Sequence, residues 1–188
     1  SSDLATMARL HRAQGRINVA NAYSTRSGLI LNSLVHKMWD RGRGAFFNLY
    51  GQQDRRVIPL AIGSLVPLIL SNLPADIAAT LIQKHLYNRN EFWLRYPINS
   101  VAATERTFDP RGENFGWRGA TNVFTNWLIW RGLKRQGYSD EAAQLASVTL
   151  SMVAESGLHR FYHPYTGKGI GRADSPLAGL SLDMGVPD

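Results

Sequence analysis

Two stretches hold most of the side chains that could do chemistry: 115–127, FGWRGATNVFTNW, and 156–171, SGLHRFYHPYTGKGIG. His159 and His163 have the spacing of two metal ligands on a helix. They stand in a loop with Pro164, without an obvious carboxylate as third ligand, so no metal is expected there. Gly167, Gly169 and Gly171 share the spacing of a phosphate-cradling loop. No strand precedes them and no phosphate-binding helix clearly follows, so turn geometry is the expectation. Glu105 and Asp109, in FWLRYPINSVAATERTFDP (92–110), read as hydrogen-bond acceptors that fix a loop. Trp127 and Trp130, three apart on a helical stretch, read as core. No cysteine is present, which removes thiolate metal sites, cysteine nucleophiles and a disulfide-stapled scaffold. None of these features implies a cofactor.

The elements that must position these loops are helical. Leu4, Met7, Ala8 and His11 mark a first short helix. Leu31, Leu34, Val35 and Met38 mark a second, with Ser24 as its N-cap and the Arg-Gly-Arg-Gly of 41–44 as its stop. The run Leu60 to Ser71 reads as a buried helix bent near Pro67. Pro74 opens the next stripe of Ile77, Leu81, Ile82 and His85. Residues 88–120 show no sustained period and are long for a structureless connection, which marks them as functional. Asn122 to Gln136 is helical and ended by Gly137. Ser139 caps a further helix that Gly157 closes, and a last fragment begins near Leu177. Ala45 to Tyr50 could form a small strand. The expected class is all-α, six or seven helices in antiparallel pairs, with function in the loops.

Composition sets the bounds. The chain has 188 residues, one domain of ordinary size or a piece of a larger one, and 44% of them are hydrophobic, enough for a packed core. The first residues lack a secretory signal and an initiator Met, which fits a processed chain or one cut from something longer. A cytoplasmic or organellar location is favoured over secretion. No apolar run reaches the about 18 residues of a membrane span. The net charge is +7, and all but four of the 21 basic residues are Arg, scattered rather than clustered. Scatter without aromatic interleaving argues against a nucleic-acid partner and leaves an anionic partner or a larger assembly open.

The two loops and three earlier segments together resemble the family 63 glycoside hydrolases, which include mannosylglycerate and glucosylglycerate hydrolases and processing α-glucosidases. FGWRGATNVFTNWLIWRGLKRQGY is similar to the family's YWRGPxWxNxNWLxxRGLxxYGY, and GLHRFYHPYTGKGIG to its GFxEYxxPxTGxGxG. MWDRGRGAFFNLYG (38–51), RRVIPLAIGSLVPLIL (55–70) and FWLRYPINSVAATERTFDP also match, so the resemblance covers about 29–185 in register. It implies the C-terminal half of an (α/α)6 barrel that binds sugar in a pocket formed by loops at one end. The implied substrate contacts are Tyr96, Trp117, Arg118, Gly119, Asn126 and Tyr162.

The resemblance also implies inverting hydrolysis, which needs a carboxylic acid on the leaving oxygen and a carboxylate activating water, roughly 6.5–9.5 Å apart. The family's acid is an Asp in the half that precedes these residues, to which nothing here corresponds. The family's base, the Glu of GFxEYxxP, falls on Arg160. A guanidinium stays protonated and cannot take a proton from water. Glu155 is the nearest carboxylate in sequence and the weak substitute. The motif's P-x-W falls on Ala120 and Asn122, and its F-x-W-T on Asp174 to Leu177. Two readings follow: the C-terminal part of an inverting α-glycosidase with an impaired base, or a degenerate glycosidase-like accessory subunit. In both, another chain or an upstream segment completes the barrel, because half a toroid leaves apolar helix faces unsealed.

Overall fold

The computed structural model describes residues 1–111 and 116–170. The fragment expected near Leu177, the stretch 174–177 and Gly171 lie outside them. Helices hold about half of the described residues: α1 (Ser2–Ala13), α2 (Ile17–Met38), α3 (Ala75–Thr80), α4 (Val123–Arg135) and α5 (Ser139–Ser156). Helices α1 and α2 pack on each other, as do α4 and α5. All-α is too simple a description, because seven two-residue strands join the loops: β1 (Trp39–Asp40), β2 (Ala45–Phe46), β3 (Leu49–Tyr50), β4 (Arg55–Arg56), β5 (Thr121–Asn122), β6 (Phe161–Tyr162) and β7 (Gly169–Ile170).

Helix α2 starts at Ile17, seven residues before the expected cap at Ser24. Gly15, with φ +74°, turns the chain out of α1, and nothing between Ile17 and Ser24 breaks the helix, so Ser24 lies within it. The 41–44 stop holds, as the turn between β1 and β2. Leu60 to Ser71 is not a bent helix. It is two 3₁₀ turns, Ile62–Ser64 and Val66–Ile69. The residues ahead of them are extended instead and pair with the long loop: Ala102 N–H donates to Leu60 O (2.9 Å) and Ile62 N–H to Ser100 O (2.8 Å). Pro67 then limits the following turn.

The stripe of Ile77, Leu81, Ile82 and His85 is buried, along α3 and the wider π-helical turns of Leu81–Leu86 that continue it. Pro74 is the residue that precedes α3. Asn122 caps α4 by accepting from Phe124 N–H (2.8 Å) and Thr125 N–H (3.4 Å). Ser139 is the first residue of α5 rather than its cap, and its hydroxyl meets Lys134 Nζ (3.3 Å). Gly157, φ +81°, ends that helix as expected.

The main core gathers Phe46, Leu65, Leu68, Leu81, Phe92, Ile98, Ile129, Leu133 and Leu145. Helix α4 meets the 66–69 turn closely because residue 132 is Gly: a Cβ there would stand 2.8 Å from Leu68 Cβ and 3.1 Å from its carbonyl carbon. A smaller buried cluster, Tyr96, Met152 and Tyr162, lies beneath the loops. Trp130 packs on the main core, whereas Trp127 is 45% exposed under the Arg131 guanidinium, so the expectation of core is correct for one of the two. Among the described residues no helix is long and apolar enough to cross a membrane.

Candidate functional site

The loops meet at the N-terminal end of α4. β5 pairs with β6 and β6 with β7, so Thr121 faces Tyr162, and Tyr162 faces Gly169. This three-stranded patch draws the 157–170 loop against the start of α4. The long loop 88–120 joins it where Asn99 pairs with Thr121, where Ser100 N–H donates to Ala120 O (3.0 Å), and where Tyr96 N–H donates to Pro164 O (2.9 Å).

Of the residues expected to touch substrate, Trp117 and Arg118 face solvent beside a cleft of about 450 Å³, lined also by Asn48, Ser64, Ser100, Val101 and Thr107. Trp117 is 73% exposed, so its ring is available for stacking. Arg118 Nε donates to Thr107 O (3.0 Å), and among the described residues no carboxylate forms an ion pair with it. Asn48, just ahead of β3, Ser64 and Ser100 all lie within matched segments, yet nothing local singles them out, because only long-range folding brings these polar residues to the cleft.

Gly119 is a close-approach glycine. Its φ is +136°, and a Cβ there would lie 2.7 Å from the Phe108 ring, while its N–H donates to Ser100 Oγ (2.8 Å). Asn126 is buried with its amide fully used: Oδ1 accepts from Ile98 N–H (2.9 Å), and Nδ2 donates to Pro97 O (2.6 Å) and Thr149 Oγ1 (2.9 Å). Tyr162 is also buried. Its hydroxyl donates to Gly157 O (2.8 Å) and accepts from His159 N–H (2.8 Å).

Tyr96 ties three segments together. Its carbonyl accepts from Thr121 Oγ1 (2.6 Å), its ring packs on Gly167, and its hydroxyl donates to Glu155 Oε2 at 3.4 Å. The structure thus brings Tyr96 and Glu155 together at the end of α5. Neither of them lines the Trp117 cleft.

Arg160 is half-buried just ahead of β6, its guanidinium 5.0 Å over the Phe161 ring. His159 Nε2 meets Ser156 O (2.9 Å), and a Cβ on Gly169 would overlap the His159 ring, so these residues serve loop geometry. His163 contacts Arg111 Nε (3.3 Å), and burial, then the Arg111 charge, holds its pKa below the usual histidine value. Among the described residues no cluster of His, Asp and Glu could hold a metal ion. Glu105 accepts from Leu60 N–H (2.8 Å) and Asp109 from Arg111 N–H (3.3 Å), the loop-fixing work expected of them.

The chain is similar to known proteins over almost all of its length. A mannosylglycerate hydrolase of Rubrobacter radiotolerans is 27% identical over 169 residues, 87% of this chain and 37% of that protein. Mannosylglycerate hydrolase MGH1 of Selaginella moellendorffii is 33% identical over 78 residues, 39% of this chain and 16% of that protein. The fold matches the GH63 mannosylglycerate hydrolase of Thermus thermophilus crystallised with glucose, with a TM-score of 0.76 at 23% identity, over 90% of this chain and 41% of that one. Neutral trehalase Nth1 of Saccharomyces cerevisiae shares the fold more distantly, with a TM-score of 0.64 at 18% identity over 80% of this chain and 28% of that one. The chain therefore spans less than half the length of these relatives. Residues 1–176 match the mannosylglycerate hydrolase MGH1-like glycoside hydrolase domain, and the chain belongs to that family.

Proposed function

We propose that this chain is the C-terminal part of an inverting α-glycosidase domain of the family 63 type that keeps a sugar-facing cleft and has lost its general base. Its barrel would be completed by an upstream segment or by another chain. The observation that carries the reading is Arg160. It occupies the family's Glu position in the strand-forming loop, and a permanent cation there cannot activate water. Trp117 and Arg118 offer the ring face and the donors that a glycosyl solute would use, with Gly119 letting their loop pass over Phe108. Asn126 and Tyr162 act on the substrate indirectly, by holding the loops.

Glu155 is a poor replacement for the base. It is exposed at the end of α5, and among the described residues the side-chain partner that holds it is the Tyr96 hydroxyl. The proposed consequence is binding without turnover: no appreciable hydrolysis of mannosylglycerate, glucosylglycerate or short α-glucosides. The test follows released sugar by NMR for the wild-type protein, Arg160→Glu, Arg160→Ala and Glu155→Gln. Wild-type turnover that Glu155→Gln abolishes and Arg160→Ala spares would overturn the lost-base reading. Activity gained in Arg160→Glu would show that the base alone was missing.

The accessory-subunit reading has an observation of its own. Large apolar side chains stand in water on α1 and α2 (Leu10 55%, Ile17 50%, Leu29 62%) and on α4 and α5 (Phe124 62%, Leu150 69%). These faces call for cover by the rest of a barrel. Light scattering on the purified chain separates the cases. A stable, soluble monomer contradicts the need for a partner, and a defined larger assembly supports it.

A further inference from the structure

Well away from the Trp117 loops, at the C-terminal end of α4, three arginines line a cleft of about 330 Å³ between α1, α2 and the turn at 71–72. Arg9 and Arg12 come from one face of α1, and Arg135 from the last turn of α4. Among the described residues no carboxylate lines the cleft. Among the described residues the ion pairs are Lys37–Asp54, Arg56–Asp40 and His85–Glu91, so none of the three arginines has an acidic partner there.

Their fixed contacts are neutral. Arg9 Nη2 donates to Thr6 Oγ1 (3.4 Å), Arg12 Nη2 to Asn21 Oδ1 (3.4 Å), and Arg135 Nη1 to Ser2 Oγ (3.1 Å) and to Ile69 O. Arg135 is thereby preplaced. Lost hydration, then repulsion from Arg131 and Arg9, holds its pKa below the usual arginine value. Like charges gathered this way cost stability unless an anion joins them.

We propose that this cleft is a binding site for a phosphate group, either the free anion or a small phosphate monoester. Guanidinium forks match phosphate oxygens in geometry and charge, and Ser24, Ser71 and Asn72, which also line the cleft, can add neutral donors. The volume stands near the lower end for a small-molecule site, and among the described residues no aromatic lines it on which a base could stack, which favours a small phosphate over a nucleotide or nucleic acid. The 13 residues of α4 put the site about 20 Å from Asn122 and the loop sheet. The site is thus separate from the sugar-facing cleft and does not depend on whether that cleft is active.

The test is a titration of the protein with inorganic phosphate and, separately, glycerol phosphate, against chloride at matched ionic strength, read by calorimetry and by the thermal midpoint. Saturable binding with a rise in midpoint is expected for phosphate and not for chloride. Arg9→Gln combined with Arg12→Gln should weaken it at least tenfold. Ser24→Glu, which places a carboxylate in the cleft, should abolish phosphate binding and raise the phosphate-free midpoint, a pairing of signs that mere damage to the fold would not produce. Tenfold preference for glycerol phosphate would assign the esterified ligand, and equal binding the free anion. An equal response to chloride, or phosphate affinity unchanged in either variant, would overturn the site.

Discussion

Between Tyr96 and Ala120, and again between Gly157 and Ile170, polar side chains and backbone are paired at close range: Asn126 on residues 97 and 98, Tyr162 on Gly157 and His159, Ser100 on Gly119. Along α1–α2 and α4–α5, Leu10, Leu29, Phe124 and Leu150 stand in water. The loop face is held by its own hydrogen bonds, whereas the helix flanks leave large apolar side chains uncovered. The contrast separates two kinds of surface. Hydrogen bonds that shape a backbone are self-contained within the chain, and their loss would cost stability directly. A flank that awaits a neighbour carries no such internal penalty.

Glycine substitutions sharpen that comparison most. Gly119→Ala forces a side chain into φ +136° and against Phe108, at an expected cost of about 3 kcal/mol from backbone strain and overlap together. Gly28→Ala lies on α2 with nothing within 4 Å of the added carbon, and should stabilise by about 0.5–1 kcal/mol through helix propensity alone. Thermal or denaturant unfolding of the two variants checks the signs. Equal effects would break the distinction between loop face and flank.

Tyr162→Phe comes next. It strips one donor and one acceptor role from a fully buried ring, leaving Gly157 O and His159 N–H to find other partners, and should cost about 2 kcal/mol. Equilibrium denaturation measures the loss. A change below about 0.5 kcal/mol would show that the loop does not depend on this hydroxyl.

Local signals made the helices legible. Asn122 with Gly137 bounded α4, and Gly157 ended α5, because caps act over one turn. Ser24 misled because a hydroxyl suited to capping was read as a boundary where the chain has no break. Leu60 to Ser71 misled because an apolar run looks alike in a buried helix and in extended or 3₁₀ chain, and the partner that decided the matter, Ser100 to Ala102, lies about 40 residues on. The β5–β6–β7 patch had no signal at all, since β5 pairs with β6 across about as many residues and the two-residue strands of the local β6–β7 pair are too short to show alternation. For the site, Trp117 and Arg118 were legible through the matched motif and do stand at the cleft. Asn126 and Tyr162 matched it as well, but their buried bonding partners cannot be seen in a one-dimensional pattern.

The smallest expected effect is on pH. His163 is buried beside Arg111, with Arg111 Nε directed at its Nε2 and Tyr165 N–H at its Nδ1; a neutral ring can accept from one of the two, whereas an imidazolium could accept from neither. Burial first and the Arg111 charge second lower its folded pKa below the ordinary value of 6.5. The unfolded chain therefore binds this proton more readily, and linkage makes stability rise with pH across that interval. The contribution is fully present above about pH 6.5 and is lost as pH falls through the folded value. Denaturant midpoints measured from pH 7.5 downward should drop more in the wild type than in His163→Gln, which carries no titrating ring. Parallel curves would show that acid enters elsewhere, and that this corner of the loop face is not held by a neutral imidazole.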